Sequence, residues 1–152
     1  MERVCDYVIR KLVDNNIKHI FMLVGRGILY LSDAVAKNKN IESINTLHEQ
    51  GASYASMAYA SVNKISACLV STGCGAANAI TACLCAYQDN LACIFISGNN
   101  QLNETTYFTK KNIRTFGSQE ANIIKLVESI TKYAVMITDS NKIAFHLEKA
   151  IY

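Results

Sequence analysis

The sequence predicts a three-layer α/β/α fold, in which a mostly parallel, doubly wound sheet lies between two layers of helices. Short apolar runs of strand length alternate with segments of helical character from one end of the chain to the other. Three of these runs end in turns that contain glycine, at Gly25, Gly73 and Gly98. Because ligands of such sheets bind at the carboxyl ends of the strands, we expect these turns to line one edge of the sheet.

Four apolar runs provide the predicted strands, since each has strand length and is followed by a turn or by polar residues. The predicted strands are His19 to Val24, Ile41 to Leu47, Ile65 to Ser71 and Leu91 to Ser97. A parallel sheet built from strands that alternate with helices is covered by those helices on both faces.

The segments between the strands predict helices, each from its own signal. Val4 to Val13 places apolar residues at helical spacing and is closed by Asn15-Asn16, and Ile28 to Ala36 returns to that spacing. Glu49 to Ser61 is rich in alanine, serine and methionine, which predicts a helix of small residues. Ala76 to Tyr87 is mainly apolar and is predicted to be one buried helix.

The last third of the chain gives weaker signals. Gln101 to Ser118 is polar and irregular, which is typical of a functional loop, and Gln119 to Ile130 is predicted to be helical. Tyr133 to Ile137 fits either a short strand or a packed connector. A final helix is predicted after these residues, with Asp139 or Ser140 as its cap.

The length suits one domain, residues 1–152. An alternating pattern of this kind would normally add another strand after the final helix. We therefore expect either that the last strand is missing or that the chain is a fragment of a longer protein.

Composition argues against several classes of function. The net charge is +3 and the basic residues are scattered, whereas nucleic-acid-binding domains cluster them on one face. The apolar runs fall short of the ~18 residues of a membrane span, and the N-terminus lacks a signal-peptide core, so we predict a cytoplasmic protein without membrane contact. The six cysteines are predicted to be reduced core thiols, and no metal site is predicted.

The glycine turns do not form a nucleotide-binding motif. Gly25-Arg26-Gly27 lacks the third glycine of a dinucleotide fingerprint, and Gly73-Cys74-Gly75 lacks the lysine and hydroxyl residue of a phosphate-binding loop. An ordinary Rossmann nucleotide binder is therefore a weak hypothesis for this chain.

Glu49 follows a predicted strand and opens a predicted helix. A carboxylate in this position lies at the carboxyl edge of the sheet, near the positive end of the helix dipole. On position alone, the simpler interpretation is an ordinary acidic residue of the first helical turn, because such residues are common there.

Five stretches of sequence resemble acetolactate synthase and related thiamine-diphosphate-dependent enzymes, in the same order and at the same spacing. They are Phe21 to Asp33, His48-Glu49-Gln50-Gly51-Ala52, Ser71 to Asn78, Ile96-Ser97-Gly98, and Gly117 to Tyr133 with its Gly-Ser-Gln-Glu start. Each motif is modest alone, but five in this arrangement are specific, and the resemblance covers essentially all 152 residues.

The resemblance implies the amino-terminal, pyrimidine-binding domain of such an enzyme. In the family, the glutamate that matches Glu49 hydrogen-bonds N1′ of the cofactor's aminopyrimidine, so Glu49 is the candidate catalytic residue. The residues that the resemblance places beside the cofactor are Leu23, Val24, Gly25, Glu49, Ser71, Cys74 and Asn78. Those that it places toward the substrate are Arg26, Asn99 and Gln119. Turn formation explains the glycines equally well.

The resemblance also implies cofactors and partners. Thiamine diphosphate would be bound with its diphosphate held through Mg²⁺ by a separate carboxyl-terminal domain of the partner subunit. The active site would lie at the interface of a homodimer or tetramer that acts as a lyase or transferase on a 2-keto acid. The 152-residue chain alone is expected to be inactive.

Departures from the family pattern leave two alternatives open. Val24, Cys74 and Ala92 stand where the family commonly has proline, which leaves the cofactor-side turns less rigid. One alternative is the pyrimidine-binding subunit of a naturally split 2-keto acid decarboxylase. The other is a non-catalytic dimerisation or regulatory module that retains the fold.

Overall fold

The computed structural model describes residues 2–152, which form a parallel sheet of four strands. The strands are β1 (His19–Met22), β2 (Glu42–Asn45), β3 (Ile65–Val70) and β4 (Ala92–Ser97). Their order across the sheet is β2-β1-β3-β4, and every pair of neighbours is parallel. All four predicted strands are therefore present, although each is shorter than its apolar run.

Helices connect the strands and cover both faces of the sheet. They are α1 (Val4–Asp14), α2 (Leu29–Lys37), α3 (Glu49–Asn63), α4 (Cys74–Asn78), α5 (Ile80–Gln88), α6 (Thr106–Thr109), α7 (Ile123–Val127) and α8 (Ile143–Ile151). Short 3-10 turns occupy Arg26–Ile28, Leu102–Glu104 and Ser140–Lys142. Among residues 2–152, none of the helices combines the length and the apolar composition that crossing a membrane requires.

Two hydrophobic cores, one on each face of the sheet, establish the three layers. The first core joins α1, α2 and α8 to the sheet through residues such as Leu12, Val35 and Leu147. The second core joins α3 and α4 to the opposite face and includes Ala52 and Ala76. Because side chains alternate along a strand, neighbouring residues of β1 and β3 contribute to different cores, which is why both strands are mainly apolar.

The chain winds in two directions from the centre of the sheet, as the sequence predicts. From β1 it passes through α2, on the face of the first core, to β2. From β2 it returns through α3, on the other face, to β3 and then through α4 and α5 to β4. The direction reverses between β1 and β3, and ligand sites of open α/β sheets occur at such a reversal.

Two predicted helices differ from the structure. The segment Ala76 to Tyr87 is not one helix but is divided between α4 and α5, because the amide of Ala79 bonds to the carbonyl of Ala76 in a tightened turn. The predicted helix Gln119 to Ile130 is reduced to α7. Gln119 has a φ of +58°, which is incompatible with an α-helix, so the chain enters α7 only after a turn.

The sequence left two choices open after α7: whether residues 133–137 form a strand, and whether Asp139 or Ser140 caps the last helix. Tyr133 to Ile137 is not a strand in this structure and forms a connector without regular secondary structure. The Asp139 side chain accepts a hydrogen bond from the Asn141 amide at 3.0 Å, so Asp139 caps the 3-10 turn that leads into α8. The predicted loop Gln101 to Ser118 also contains the short helix α6.

The carboxyl ends of the central strands meet at close range, which confirms that the glycine turns share one edge. A Cβ atom on Gly98, after β4, would lie 2.2 Å from the carbonyl oxygen of Gly27, after β1. A Cβ atom on Gly25 would lie 2.5 Å from the Ser71 hydroxyl, after β3. Contacts below about 3.0 Å are not tolerated, so Gly98 packs against the backbone of Gly27 and Gly25 packs against the side chain of Ser71, with no room for a Cβ atom on either glycine.

Replacing Gly98 by alanine should destabilise the domain by about 1–3 kcal/mol, the usual cost of overpacking. The reason is that the new methyl group would meet a carbonyl oxygen that is fixed by its own turn. Urea denaturation followed by circular dichroism measures the change. Gly51→Ala is the matched control, because a Cβ there lies 3.7 Å from the Thr46 Cβ, in ordinary contact. Since alanine favours the helix, this control should be neutral or slightly stabilising. Equal stability of the two variants would contradict the packing described here.

Candidate functional site

Glu49 is the first residue of α3, and the preceding turn holds it in place. The His48 ring nitrogen Nδ1 accepts a hydrogen bond from the Gln50 amide at 3.1 Å and so caps the helix. The Thr46 hydroxyl donates to the His48 carbonyl at 2.7 Å. Glu49 therefore stands half-buried at the positive end of a helix of 15 residues, which favours a negative charge there.

The two carboxylate oxygens of Glu49 have different surroundings. The Asn78 amide donates a hydrogen bond to Oε2 at 3.0 Å. A Cβ atom on Gly75 would lie 2.9 Å from Oε1, so α4 passes directly against the carboxylate at a residue without a side chain. Oε1 accepts no hydrogen bond from residues 2–152. One oxygen is thus held in place while the other is available to an external donor.

Ser71 links Glu49 to the turns after β1 and β4. Its Cβ would lie 3.3 Å from a Cβ on Gly75, and its hydroxyl packs against Gly25. The Ser71 carbonyl accepts a hydrogen bond from the Ser97 hydroxyl at 3.3 Å. The structure therefore brings Gly25, Glu49, Ser71 and Asn78 into one cluster at the reversal point of the sheet.

The other residues predicted to face a cofactor lie around this cluster on exposed turns. Leu23 is half-buried and Val24 is 63% exposed, both in the turn after β1. Cys74 is an exposed thiol at the first residue of α4. The Val24 and Cys74 side chains therefore face solvent on the turns after β1 and β3.

The three residues predicted to face a substrate are placed differently from one another. The Gln119 carbonyl would lie 1.5 Å from a Cβ on Gly73, so its backbone packs on the turn between β3 and α4. Arg26 is exposed in the 3-10 turn after β1. The Asn99 amide lies 3.4 Å from the Met136 sulfur, on the side of the connector. Within residues 2–152, neither Arg26 nor Asn99 bonds to Glu49.

Glu120 organises the long loop that flanks the site, a role that sequence analysis missed. Its Oε1 accepts from the Thr106 amide at 2.6 Å and hydroxyl at 2.8 Å. Its Oε2 accepts from the Phe116 and Gly117 amides at 2.9 and 3.3 Å. The Asn100 side chain closes the same loop by donating to the Ser118 carbonyl at 3.0 Å.

These contacts change the acidity of Glu120. Burial alone would raise its pKa, but the hydrogen bonds from Thr106, Phe116 and Gly117 outweigh burial and lower the pKa below its usual value of 4.5. Because the folded pKa is the lower one, the carboxylate stabilises the folded loop above pH 4.5. This contribution is lost as the pH falls through the lowered pKa.

The cysteines lie outside the cluster of Gly25, Glu49, Ser71 and Asn78, although Cys74 begins the helix that carries Asn78. All six are free thiols. Burial raises the pKa of Cys68 to about 12 and that of Cys83 to about 11, so neither ionises near neutral pH. Within residues 2–152, no three histidine, cysteine, aspartate or glutamate side chains are grouped so that they could hold a metal ion.

Fold and site together define a doubly wound α/β domain with a positioned carboxylate at the carboxyl edge of its sheet. Residues 2–122 match the family described as thiamine pyrophosphate enzyme, N-terminal TPP binding domain. The chain belongs to this family, as its sequence motifs predict.

Several acetolactate synthases are similar to the chain over most of its length. The large subunit from Buchnera aphidicola subsp. Schizaphis graminum is 32% identical over 148 residues, which are 97% of this chain and 24% of the relative. The large subunit from Haemophilus influenzae is 30% identical over 148 residues, which are again 97% of this chain and 24% of the relative. The mitochondrial enzyme of Schizosaccharomyces pombe is 31% identical over 140 residues, 91% of this chain and 20% of that protein. The chain thus spans about a quarter or less of the length of these curated relatives.

Glu120→Gln should loosen the loop, because an amide nitrogen would face two donors whichever way the new side chain is turned. A buried donor without a partner costs about 1–3 kcal/mol, and the half-buried position favours the lower part of this range. We expect about 5–30-fold less protection from hydrogen exchange in residues 104–120, measured by mass spectrometry at pH 7.

Two comparisons accompany this prediction. Glu104→Gln is the matched control, since the Glu104 side chain makes no hydrogen bond or ion pair with residues 2–152 and should leave protection unchanged. The wild-type chain should lose the same protection when acid protonates Glu120, so the two proteins should converge at low pH. A constant difference at every pH would show that the carboxylate charge is not responsible.

Proposed function

We propose that this chain holds the aminopyrimidine end of thiamine diphosphate and that Glu49 is its catalytic carboxylate. The observation that carries the proposal is the unequal environment of the two Glu49 oxygens. Oε2 is held by Asn78 at 3.0 Å, and Oε1 accepts no hydrogen bond from residues 2–152. A carboxylate arranged in this way can share a proton with a ring nitrogen, as general acid–base catalysis requires.

The residues around Glu49 suit a flat heterocycle. Gly25, Ser71 and Gly75 have small side chains or none, so the backbone can approach a ring closely. Asn78 fixes the carboxylate without competing for its second oxygen. The bound cofactor would supply the electron sink of the reaction, while these residues bind, orient and hold a proton at N1′. Leu23, Val24 and Cys74 would contribute contacts from the surrounding turns.

The proposal extends to the reaction of the longer enzyme to which such a domain belongs. By its resemblance to acetolactate synthase, we assign the chain to a lyase or transferase that acts on a 2-keto acid. The diphosphate and its Mg²⁺ would be held by a separate domain of the partner subunit in a homodimer or tetramer. Arg26, Asn99 and Gln119 would face the substrate from the turns beyond the pyrimidine. The similarity to acetolactate synthases at about 30% identity supports this class of reaction.

Glu49→Gln in the full-length enzyme should slow exchange of the cofactor's C2 proton with deuterium by about 10²–10⁴-fold, the usual contribution of a positioned acid–base group. The amide keeps the shape of the side chain but cannot share the proton in the same way. Acid-quenched proton NMR of the bound cofactor measures the exchange, and calorimetric titration with thiamine diphosphate measures affinity separately.

The matched control is Glu128→Gln, which changes an exposed acid at the end of α7 and should leave both measurements unchanged. If the Glu49 variant exchanges C2 at the wild-type rate although the wild type binds cofactor, Glu49 is not catalytic. If the wild-type enzyme does not bind thiamine diphosphate, the domain is a non-catalytic module that retains the fold.

On this proposal Asn78 is a positioning residue that holds the Glu49 carboxylate. Two variants distinguish the loss of its hydrogen bond from a change in the charge beside Glu49. Asn78→Ala should reduce C2 exchange by about tenfold, because it removes a hydrogen bond to a charged group worth about 1.5 kcal/mol or more. Asn78→Asp places a second carboxylate beside Glu49 and should raise the pKa of the pair. The limb of the pH profile that reports this carboxyl should then move to higher pH in the aspartate variant alone. Identical profiles for both variants would mean that Asn78 acts only through packing.

A further inference from the structure

The long loop beside the site carries three basic side chains that the proposed acid–base chemistry does not use. Residues 106–117 are called the basic loop here, and its cations are Lys110, Lys111 and Arg114, all exposed. The chain has 15 basic and 12 acidic residues, and the basic loop holds three of the basic residues and none of the acidic ones. This loop therefore carries a charge equal to the net charge of the whole chain, +3.

The three cations have no ionic partner within residues 2–152. Ion pairs in this part of the chain hold four other lysine and arginine side chains, which are Arg3, Arg10, Lys11 and Lys37. The acid that follows the basic loop, Glu120, instead accepts from backbone amides and a hydroxyl. Like charges carried on neighbouring residues repel one another, so an anion bound among them gains attraction and relieves the repulsion at once.

Glu120 fixes both ends of the basic loop at the carboxyl edge of the sheet. Its Oε1 accepts from the Thr106 amide at 2.6 Å, and its Oε2 accepts from the Gly117 amide at 3.3 Å. The adjoining carbonyl of Gln119 packs on Gly73, in the turn after β3. The basic loop is thus closed at its base and anchored on a turn of the candidate site.

The same turn reaches the Glu49 carboxylate. Gly75 lies two residues after Gly73, and a Cβ atom on Gly75 would lie 2.9 Å from Oε1 of Glu49. The Asn100 side chain, after β4, adds a second anchor by donating to the Ser118 carbonyl at 3.0 Å. The carboxylate and the basic loop therefore share one support, and a ligand large enough to span this turn can contact both.

The number of cations indicates the kind of anion. A 2-keto acid has one carboxylate, for which a single cation such as Arg26, in the turn after β1, is sufficient. Nucleic-acid-binding proteins often make about 6–10 phosphate contacts, which exceeds what three side chains can provide. One phosphate group carries close to two negative charges and three acceptor oxygens, which three cationic donors match.

Aromatic side chains precede the cations in the same loop. Tyr107 and Phe108 are 60% and 55% exposed. Exposed rings beside cations provide an apolar surface for the body of a ligand whose charged end the cations hold. This combination favours an organic phosphate over a free inorganic ion.

We propose that the basic loop binds the phosphate group of a phosphorylated organic molecule, the second substrate of the enzyme. Lys110 and Lys111 supply charge, and the planar guanidinium of Arg114 can donate two parallel hydrogen bonds to phosphate oxygens. Its identity as a substrate rests on the proposed function, whereas phosphate binding by the basic loop does not.

The test uses the full-length enzyme saturated with thiamine diphosphate and Mg²⁺, so that the cofactor's own site is filled. Phenyl phosphate is the probe, at about pH 7.5, where a phosphate monoester is mostly a dianion. Phosphorus NMR follows its titration, and saturation-transfer NMR compares it with benzoate, which has the ring but a single carboxylate. We expect phenyl phosphate to bind at least about fivefold more tightly than benzoate and to weaken as salt is added.

Replacing the three cations together, by Lys110→Gln, Lys111→Gln and Arg114→Gln, should weaken phenyl phosphate binding by about tenfold, or about two- to threefold for each exposed contact. The matched control is Lys18→Gln, Lys39→Gln and Lys64→Gln, which removes the same charge. Lys18 and Lys64 directly precede β1 and β3, and Lys39 lies shortly before β2, so all three are at the opposite edge of the sheet. This control should change the affinity by less than twofold.

Three results would overturn the proposal. Equal weakening by both sets of substitutions would show a general effect of net charge. Equal affinity for benzoate would show that phosphate is not selected. Binding of phenyl phosphate that occurs without thiamine diphosphate but is lost when the enzyme is saturated would show that the basic loop holds the cofactor's diphosphate instead of a substrate.

Failure of the proposed function gives a different result. In that case the wild-type enzyme does not bind thiamine diphosphate in calorimetric titration. The phenyl phosphate titration is then made without cofactor on the same wild-type and substituted proteins, and the same tenfold difference decides whether the basic loop binds phosphate.

Discussion

The close approach of the backbone at the carboxyl edge of the sheet is the constraint on which the rest of the structure depends. A Cβ atom on Gly27 would lie 1.9 Å from the Thr72 hydroxyl, and one on Gly73 would lie 1.5 Å from the Gln119 carbonyl. Gly73 also has a φ of +49°, which side chains disfavour. The turns after β1, β3 and β4 can therefore share one edge only because these residues lack side chains. Gly75 extends the same packing to Glu49, so the site and the sheet are held by one set of contacts.

The features that the sequence predicts well are those that local patterns determine. Apolar runs and glycine turns located all four strands and the edge at which they end. The position of Glu49 at the start of a helix follows from the local pattern, but its candidate catalytic role comes from the resemblance of its motif to the family. The break at Ala79 was not predicted, because a tightened turn between two alanines leaves no mark in the pattern of apolar residues. The left-handed backbone of Gln119 was not predicted, because it accompanies a contact with a distant residue. Gln119 packs on Gly73, which lies 46 residues earlier, and no periodicity reports such a contact.

The hydrogen bonds of Glu120 are partly local in the sequence and partly distant, so the sequence could predict only some of them. Its bonds to Phe116 and Gly117 span only three or four residues, so this part of its role is local in the sequence. Its bonds to Thr106 span 14 residues and depend on the fold of the whole loop. The connector, residues 133–137, is also not decided by its own sequence. Its sequence fits a strand, but a strand exists only where a partner supplies the ladder.

The surroundings of Glu49 in this chain meet only part of what its proposed chemistry requires, because the carboxylate is not shielded from water. A proton is shared most effectively with a ring nitrogen where water is excluded, yet Glu49 is half-buried at an open edge. Val24 is 63% exposed and Leu47, two residues before Glu49, is fully exposed. Apolar side chains beside a half-buried carboxylate favour a covering surface, since contact would bury them and remove water from the acid in the same step.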